Sequence, residues 1–183
     1  MLVAKQVADM ITISRAMLGL VLAWLGIVFG ALAFPLTAWI MFADWVGDMF
    51  DGSIARRSRI QYHTWIGDHD LEVDMFVSLG LLVYLMGSGF VAWWLGGLYL
   101  AFWSLIFWKM GILSSPGMLF QAPIYGWFLW TALKEAPGIG ALLILFLVAA
   151  IILTWPKFPN MVVPGFLSGM RTAFRSLRKT GRY

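Results

Sequence analysis

Seven of the nine acidic residues fall in two short stretches of the 183-residue chain: Asp44, Asp48 and Asp51, then Asp68, Asp70, Glu72 and Asp74. Long apolar runs flank both, and a carboxylate near a membrane core costs about 2.5–3.5 kcal/mol on insertion scales, so the clusters call for a shared cation, mutual pairing or a water-filled cavity. A bound metal is the economical explanation. At roughly 100° per residue on a helix, Asp44, Asp48, Asp51, Gly52, Ala55 and Arg56 form one stripe within an arc of roughly 140°. Asp70 and Asp74, one turn apart, form a second pair on a single face, while Asp68 and Glu72 share that spacing on the opposite side. The connection from Arg57 to His69 is short enough to make the two helices antiparallel neighbours, so that carboxylates of both converge. Oxygen ligands without cysteine, and without histidine on the stripe, suit Mg²⁺ or Mn²⁺ rather than Zn²⁺. Gly52 and Ala55 leave room for a ligand to approach the backbone, and Arg56 offers a fork for phosphate. A pyrophosphate compound is the substrate such a combination suggests.

The elements that must position these groups are apolar helices. The chain is 61% hydrophobic and 12% charged, against about 25% charged for a soluble domain, which all but excludes a soluble fold. An apolar run of about 20 residues crosses the hydrocarbon core, and six such runs can be drawn: Met10–Phe34, Pro35–Gly52, Asp70–Gly87, Phe90–Leu113, Met118–Leu133 and Pro137–Trp155. The first is too long for a signal-peptide core and is expected to be retained as a span. The expected fold class is an all-α integral membrane protein of six transmembrane helices over residues 1–155, followed by a basic segment over 156–183. Six spans put both termini on one side, and that side then carries 12 of the 13 basic residues, leaving only Lys134 outside. Cytoplasmic loops carry such an excess, so both termini and the acidic clusters are expected at the cytoplasmic face of a cell membrane.

Between Pro164 and Tyr183, Phe166, Leu167, Met170, Phe174 and Leu177 alternate with Arg171, Arg175, Arg178 and Lys179 at helical spacing, which reads as an amphipathic helix on anionic lipid or as a disordered basic end. Because the positive charge follows the topology and forms no domain of its own, nucleic-acid binding is not expected. His63 and His69 read as interfacial. Trp93, Trp94, Trp127, Trp130 and Trp155 read as lipid-interface anchors, and Gly96 and Gly97 as helix-packing positions.

The pattern Asp48-x-x-Asp51-Gly52-x-x-Ala55-Arg56, followed by Asp70-x-x-x-Asp74, resembles the signature of the CDP-alcohol phosphotransferases, D-x2-D-G-x2-A-R-x8-G-x3-D-x3-D. Seven specified residues agree in identity, and they lie between two apolar runs as in that family. The last two aspartates come one residue late, and Gly67 precedes Asp70 by three residues rather than four. A weaker likeness lies upstream, where members carry N-x2-T-x2-R and this chain has Asp9, Thr12 and Arg15.

The resemblance implies six transmembrane helices and transfer of a phosphatidyl group, or an ether-lipid phosphoalcohol, from CDP-diacylglycerol or a related CDP-lipid to a small alcohol, with release of CMP. It implies that Asp48, Asp51, Asp70 and Asp74 hold two divalent metals, with Asp74 also taking the proton of the acceptor hydroxyl. It further implies that Thr12, Arg15, Gly52, Ala55 and Arg56 form the nucleotide and phosphate site. For Arg15 the alternative is snorkelling to the interface. A homodimer is common in the family. Met75 stands where glycerol phosphate synthases carry lysine, which leaves the acceptor open. Asp44 is outside the signature and is either an acceptor ligand or a neutral residue hydrogen-bonded to a neighbouring helix. The competing class is a transporter whose intramembrane acids line an ion path.

Overall fold

The computed structural model describes residues 2–57, 70–156 and 158–180. The fold is all-α: α1 (Leu2–Val28), α2 (Phe34–Arg57), α3 (Asp70–Gly87), α4 (Trp93–Met110), α5 (Ser114–Glu135), α6 (Pro137–Leu153) and α7 (Val163–Thr180), with a 3₁₀ turn at Gly30–Ala33 and a π turn at Phe158–Val162. The chain divides into two compact units, Met1–Ala92 and Trp93–Tyr183.

In the first unit α1 ends earlier than the apolar run predicts, because Gly30 adopts φ +58° and the chain turns there. That is the left-handed region, which a side chain rarely tolerates and glycine enters freely. The turn sends α2 back along α1, so the buried positions of the two helices face each other. Helix α3 runs from Asp70, where the described residues resume, to Gly87, where the sequence predicts its end, and lies along α1 in the parallel sense. Two glycine pairs set that approach: Gly19 against Gly80, and Gly26 against Gly87. Without Cβ atoms the backbones meet directly, the mode by which helices pack tightly in the absence of a strong hydrophobic drive. Leu22, Leu25, Ala38, Met41, Val77, Leu81, Tyr84 and Leu85 fill the core around the contact. At the end of the unit remote from Asp48, Phe34 of α2 packs on Tyr84 (6.3 Å between centroids) and edge-on to Phe90 (5.3 Å).

In the second unit the run predicted as Met118–Leu133 is a continuous 22-residue helix, with Pro123 inside it. Pro137 opens α6 at its first turn, where a missing N–H costs nothing. Gly140 of α6 meets the backbone of Ala132 on α5, and between α4 and α5 Tyr99 stacks on Phe120 while Trp103 meets Phe120 edge-on. The basic segment forms α7, which packs on α4 and α5 and buries Ala173.

Among the described residues one stretch, Gly30–Met49, is long and apolar enough to cross a membrane, with 20 residues of mean hydropathy 1.3. The pair Pro137–Leu153 and Phe158–Ala173, bent by 80°, counts as a second if it is one span. The remaining helices differ from ideal spans for particular reasons. The apolar part of α1, Thr12–Val28, is short, α3 carries Asp70, Glu72 and Asp74, and α4 is rich in tryptophan and glycine. The exteriors are nevertheless apolar, with Leu32 90% exposed, Trp108 84% and Leu153 75%.

Candidate functional site

Three helices of the first unit meet at one side chain. Arg15 lies on the face of α1 that looks toward both α2 and α3, one turn after the buried Thr12, and is itself buried. Its Nε donates to Asp44 Oδ1 at 3.0 Å, its Nη1 to Asp48 Oδ1 at 2.9 Å, and its Nη2 to Asp74 Oδ1. Asp44 and Asp48 come from α2, one turn apart, and Asp74 from the second turn of α3. A planar guanidinium presents its donors in fixed directions, so three carboxylates on three of its nitrogens are held in a defined array.

The three differ in access. The side chain of Asp44 is 1% exposed, that of Asp74 26% and that of Asp48 49%. Asp44 therefore lies at the closed end of the array, and its Oδ2 is buried with no hydrogen-bond partner among the described residues. A half-satisfied buried carboxylate is costly even beside a cation. Asp48 and Asp74 form the open end, where a ligand can reach.

The structure answers several expectations. Arg15 does not snorkel: it is buried, and its guanidinium is engaged by carboxylates. It also does not stand free for a phosphate in this state, being bonded to two of the aspartates expected to hold metal. Asp44 is hydrogen-bonded to the neighbouring helix α1 and is too enclosed to meet an acceptor alcohol directly. Asp74 faces Arg15 of α1, and Glu72 is half-buried. Asp51, Gly52, Ala55 and Arg56 lie in the final turns of α2, and Asp70 opens α3, but their side chains are outside the described residues, as is that of Asp9. Asp68, His63 and His69 lie outside them altogether. The five tryptophans expected at the interface are exposed, from 46% at Trp127 to 72% at Trp94. Gly96 is buried, and Gly97 has nothing within 4 Å of a Cβ.

What reading the sequence missed is the pairing of Arg15 with Asp44 and the glycine seam beneath it. The seam had a signal: Gly19 and Gly26, and Gly80 and Gly87, are each seven residues apart, which returns a helix to nearly the same face.

Among the described residues no group of three or more His, Asp or Glu side chains is arranged to hold a metal ion. The reason is local. The Oδ1 atoms of Asp44, Asp48 and Asp74 are spread around the guanidinium, which supplies the positive charge there. The donor set is nonetheless all carboxylate oxygen and already gathers about a cation, chemistry that fits a hard divalent ion such as Mg²⁺ or Mn²⁺. Comparison with protein-family models, with curated proteins and with solved structures finds no match to this chain.

Proposed function

We propose that this chain is a membrane-embedded, phospholipid-synthesising transferase that moves a phosphatidyl group, or an ether-lipid phosphoalcohol, from a CDP-lipid to a small alcohol and releases CMP. One observation carries the reading: Asp48 and Asp74, one from each half of the Asp48-x-x-Asp51-Gly52-x-x-Ala55-Arg56 and Asp70-x-x-x-Asp74 pattern, stand on the same guanidinium with their side chains partly open. The meeting of one residue from each half supports a single site.

Asp48, Asp51, Asp70 and Asp74 would hold two Mg²⁺ or Mn²⁺ ions. Such ions, when bound, neutralise charge on a pyrophosphate and on the departing CMP. The chain's own part is to bind, orient and move one proton. The acceptor oxygen forms a bond to the lipid-side phosphorus, the bond from that phosphorus to the bridging oxygen breaks, and CMP leaves with the electron pair. The hydroxyl proton passes to an Asp74 carboxylate oxygen, which must lie within hydrogen-bond reach of the acceptor. Thr12, Arg15, Gly52, Ala55 and Arg56 would take the nucleotide and phosphates. The exposed apolar side chains of the helices support embedding in a bilayer, where such surface faces lipid rather than water. In this reading the six long helices α1–α6 span the membrane with tilts and local thinning that accommodate the shorter ones. The carboxylate site, α7 and the chain termini then face the cytoplasm.

The test is a lipid-product assay of the purified full chain in detergent. CDP-diacylglycerol would be offered with glycerol 3-phosphate, inositol phosphate, inositol, serine, ethanolamine or choline, with Mg²⁺ or Mn²⁺ supplied. Formation of a new phospholipid with equimolar CMP is expected for one acceptor. No CMP from any pair, or CMP release that persists without metal, overturns the proposal.

A further inference from the structure

The transfer reading gives no role to two features of the site, the enclosed Asp44 and the grip of Arg15 on Asp48 and Asp74. They explain each other. A divalent ion bound to Asp48 Oδ1 would stand no further than about 5 Å from Arg15 Nη1, given metal–oxygen distances of about 2.1 Å and the 2.9 Å hydrogen bond. Like charges that close in a poorly solvated site repel strongly, so the guanidinium and the metal compete for the same carboxylates. Arg15 must have somewhere to go.

Asp44 provides it. The carboxylate already accepts from Nε through Oδ1, while its Oδ2 is buried and lacks a partner among the described residues. A guanidinium can present Nε and one terminal nitrogen side by side to both oxygens of one carboxylate, the strong bidentate arrangement. If Nη2 leaves Asp74 and turns about the retained Nε bond, it reaches the partnerless oxygen. We propose that Asp44 is a positioning residue that receives the Arg15 guanidinium on both its oxygens when a divalent cation takes Asp48 and Asp74. Arg15 then stays at the site, released from the metal ligands and available at its remaining nitrogen to a substrate phosphate. This role for Asp44 rests on the metal-dependent reading of the site.

The experiment measures Mn²⁺ affinity of the full chain in detergent, from the free Mn²⁺ paramagnetic resonance signal. The samples are the wild type, Asp44→Asn, Arg15→Gln and the double variant, which make a double-mutant cycle. An asparagine at position 44 offers one acceptor oxygen and no fork, so Asp44→Asn is expected to weaken Mn²⁺ binding about tenfold, within the range seen when a group supporting metal ligands is lost. Removing Arg15 from that variant removes the competitor and is expected to restore or exceed wild-type affinity. With Arg15 already gone, Asp44→Asn is expected to change little. Should Arg15→Gln alone fail to fold, the double variant, in which the charge of Asp44 is also gone, is compared with Asp44→Asn: a gain in Mn²⁺ affinity on removing Arg15 is expected, and a loss overturns the proposal.

Equal weakening by Asp44→Asn with and without Arg15 would overturn the proposal, making Asp44 a ligand or a simple charge. Weaker Mn²⁺ binding on loss of Arg15 would overturn it too, making Arg15 a fixed bracket. CMP release by the wild-type sample distinguishes the two levels. An active enzyme whose cycle fails removes this inference alone, and the expected cycle in a protein that releases no CMP removes only the transfer reading.

Discussion

Gly80 lies so close to Gly19 that a Cβ on Gly80 would come within 2.1 Å of the Gly19 carbonyl oxygen. The obstacle is backbone and not the end of a flexible side chain, so α1 and α3 would have to move apart. Gly80→Ala is therefore expected to destabilise the protein by about 1–3 kcal/mol, the usual cost of overpacking. Gly97→Ala, where a Cβ meets nothing within 4 Å, serves as control and should be neutral or slightly stabilising. Unfolding of both variants in detergent by denaturant titration checks the difference.

The same seam brings Asp74 to Arg15, so charge and packing are coupled. Arg15→Gln leaves Asp44 buried and uncompensated and should cost about 3–5 kcal/mol, as breaking a buried pair generally does. Adding Asp44→Asn should recover most of that loss, because the stranded charge is gone. Unfolding free energies of the two single variants and the double variant provide the measurement.

Four aspartates should matter for turnover far more than their acidic neighbours. Asp74→Asn should lower turnover on the order of 10²–10⁴-fold, the scale of a lost general base, and Asp48→Asn, Asp51→Asn and Asp70→Asn should be similarly severe. Asp68→Asn and Glu72→Gln should retain most activity. Rates of CMP release from a CDP-lipid decide it, and the reverse order would mean that the wrong face of α3 had been assigned.

Lys109 and Ala136 stand near opposite ends of α5, a 22-residue helix about 33 Å long at 1.5 Å per residue. If α5 spans the bilayer, cysteines introduced one at a time should react with an impermeant reagent from opposite sides: position 136 in intact cells, position 109 only in inside-out membrane vesicles. Reaction of both from one side would remove the six-span topology.

Removal of divalent metal is expected to abolish CMP release, with recovery on adding Mg²⁺ or Mn²⁺. Chelation followed by readdition, monitored as CMP formed, tests this without any substitution.

Much of this protein is written in local pattern. The end of α3 at Gly87 and the proline start of α6 follow from apolar runs and from residues that begin or stop helices, effects that act over a few positions. The common face of Asp44 and Asp48 follows from helical period alone, and so does the opposition of Asp74 to Glu72. Tertiary structure decided which groups meet. Arg15 lies 29, 33 and 59 residues from Asp44, Asp48 and Asp74, separations over which periodicity carries no information. Their meeting depends on the turn at Gly30, which folds α2 back on α1, and on the Gly19–Gly80 and Gly26–Gly87 contacts, which bring α3 close enough for a carboxylate to reach the guanidinium. That closeness gives Asp44 its role, because the enclosure that hides it from a substrate leaves Arg15 as its hydrogen-bonding neighbour.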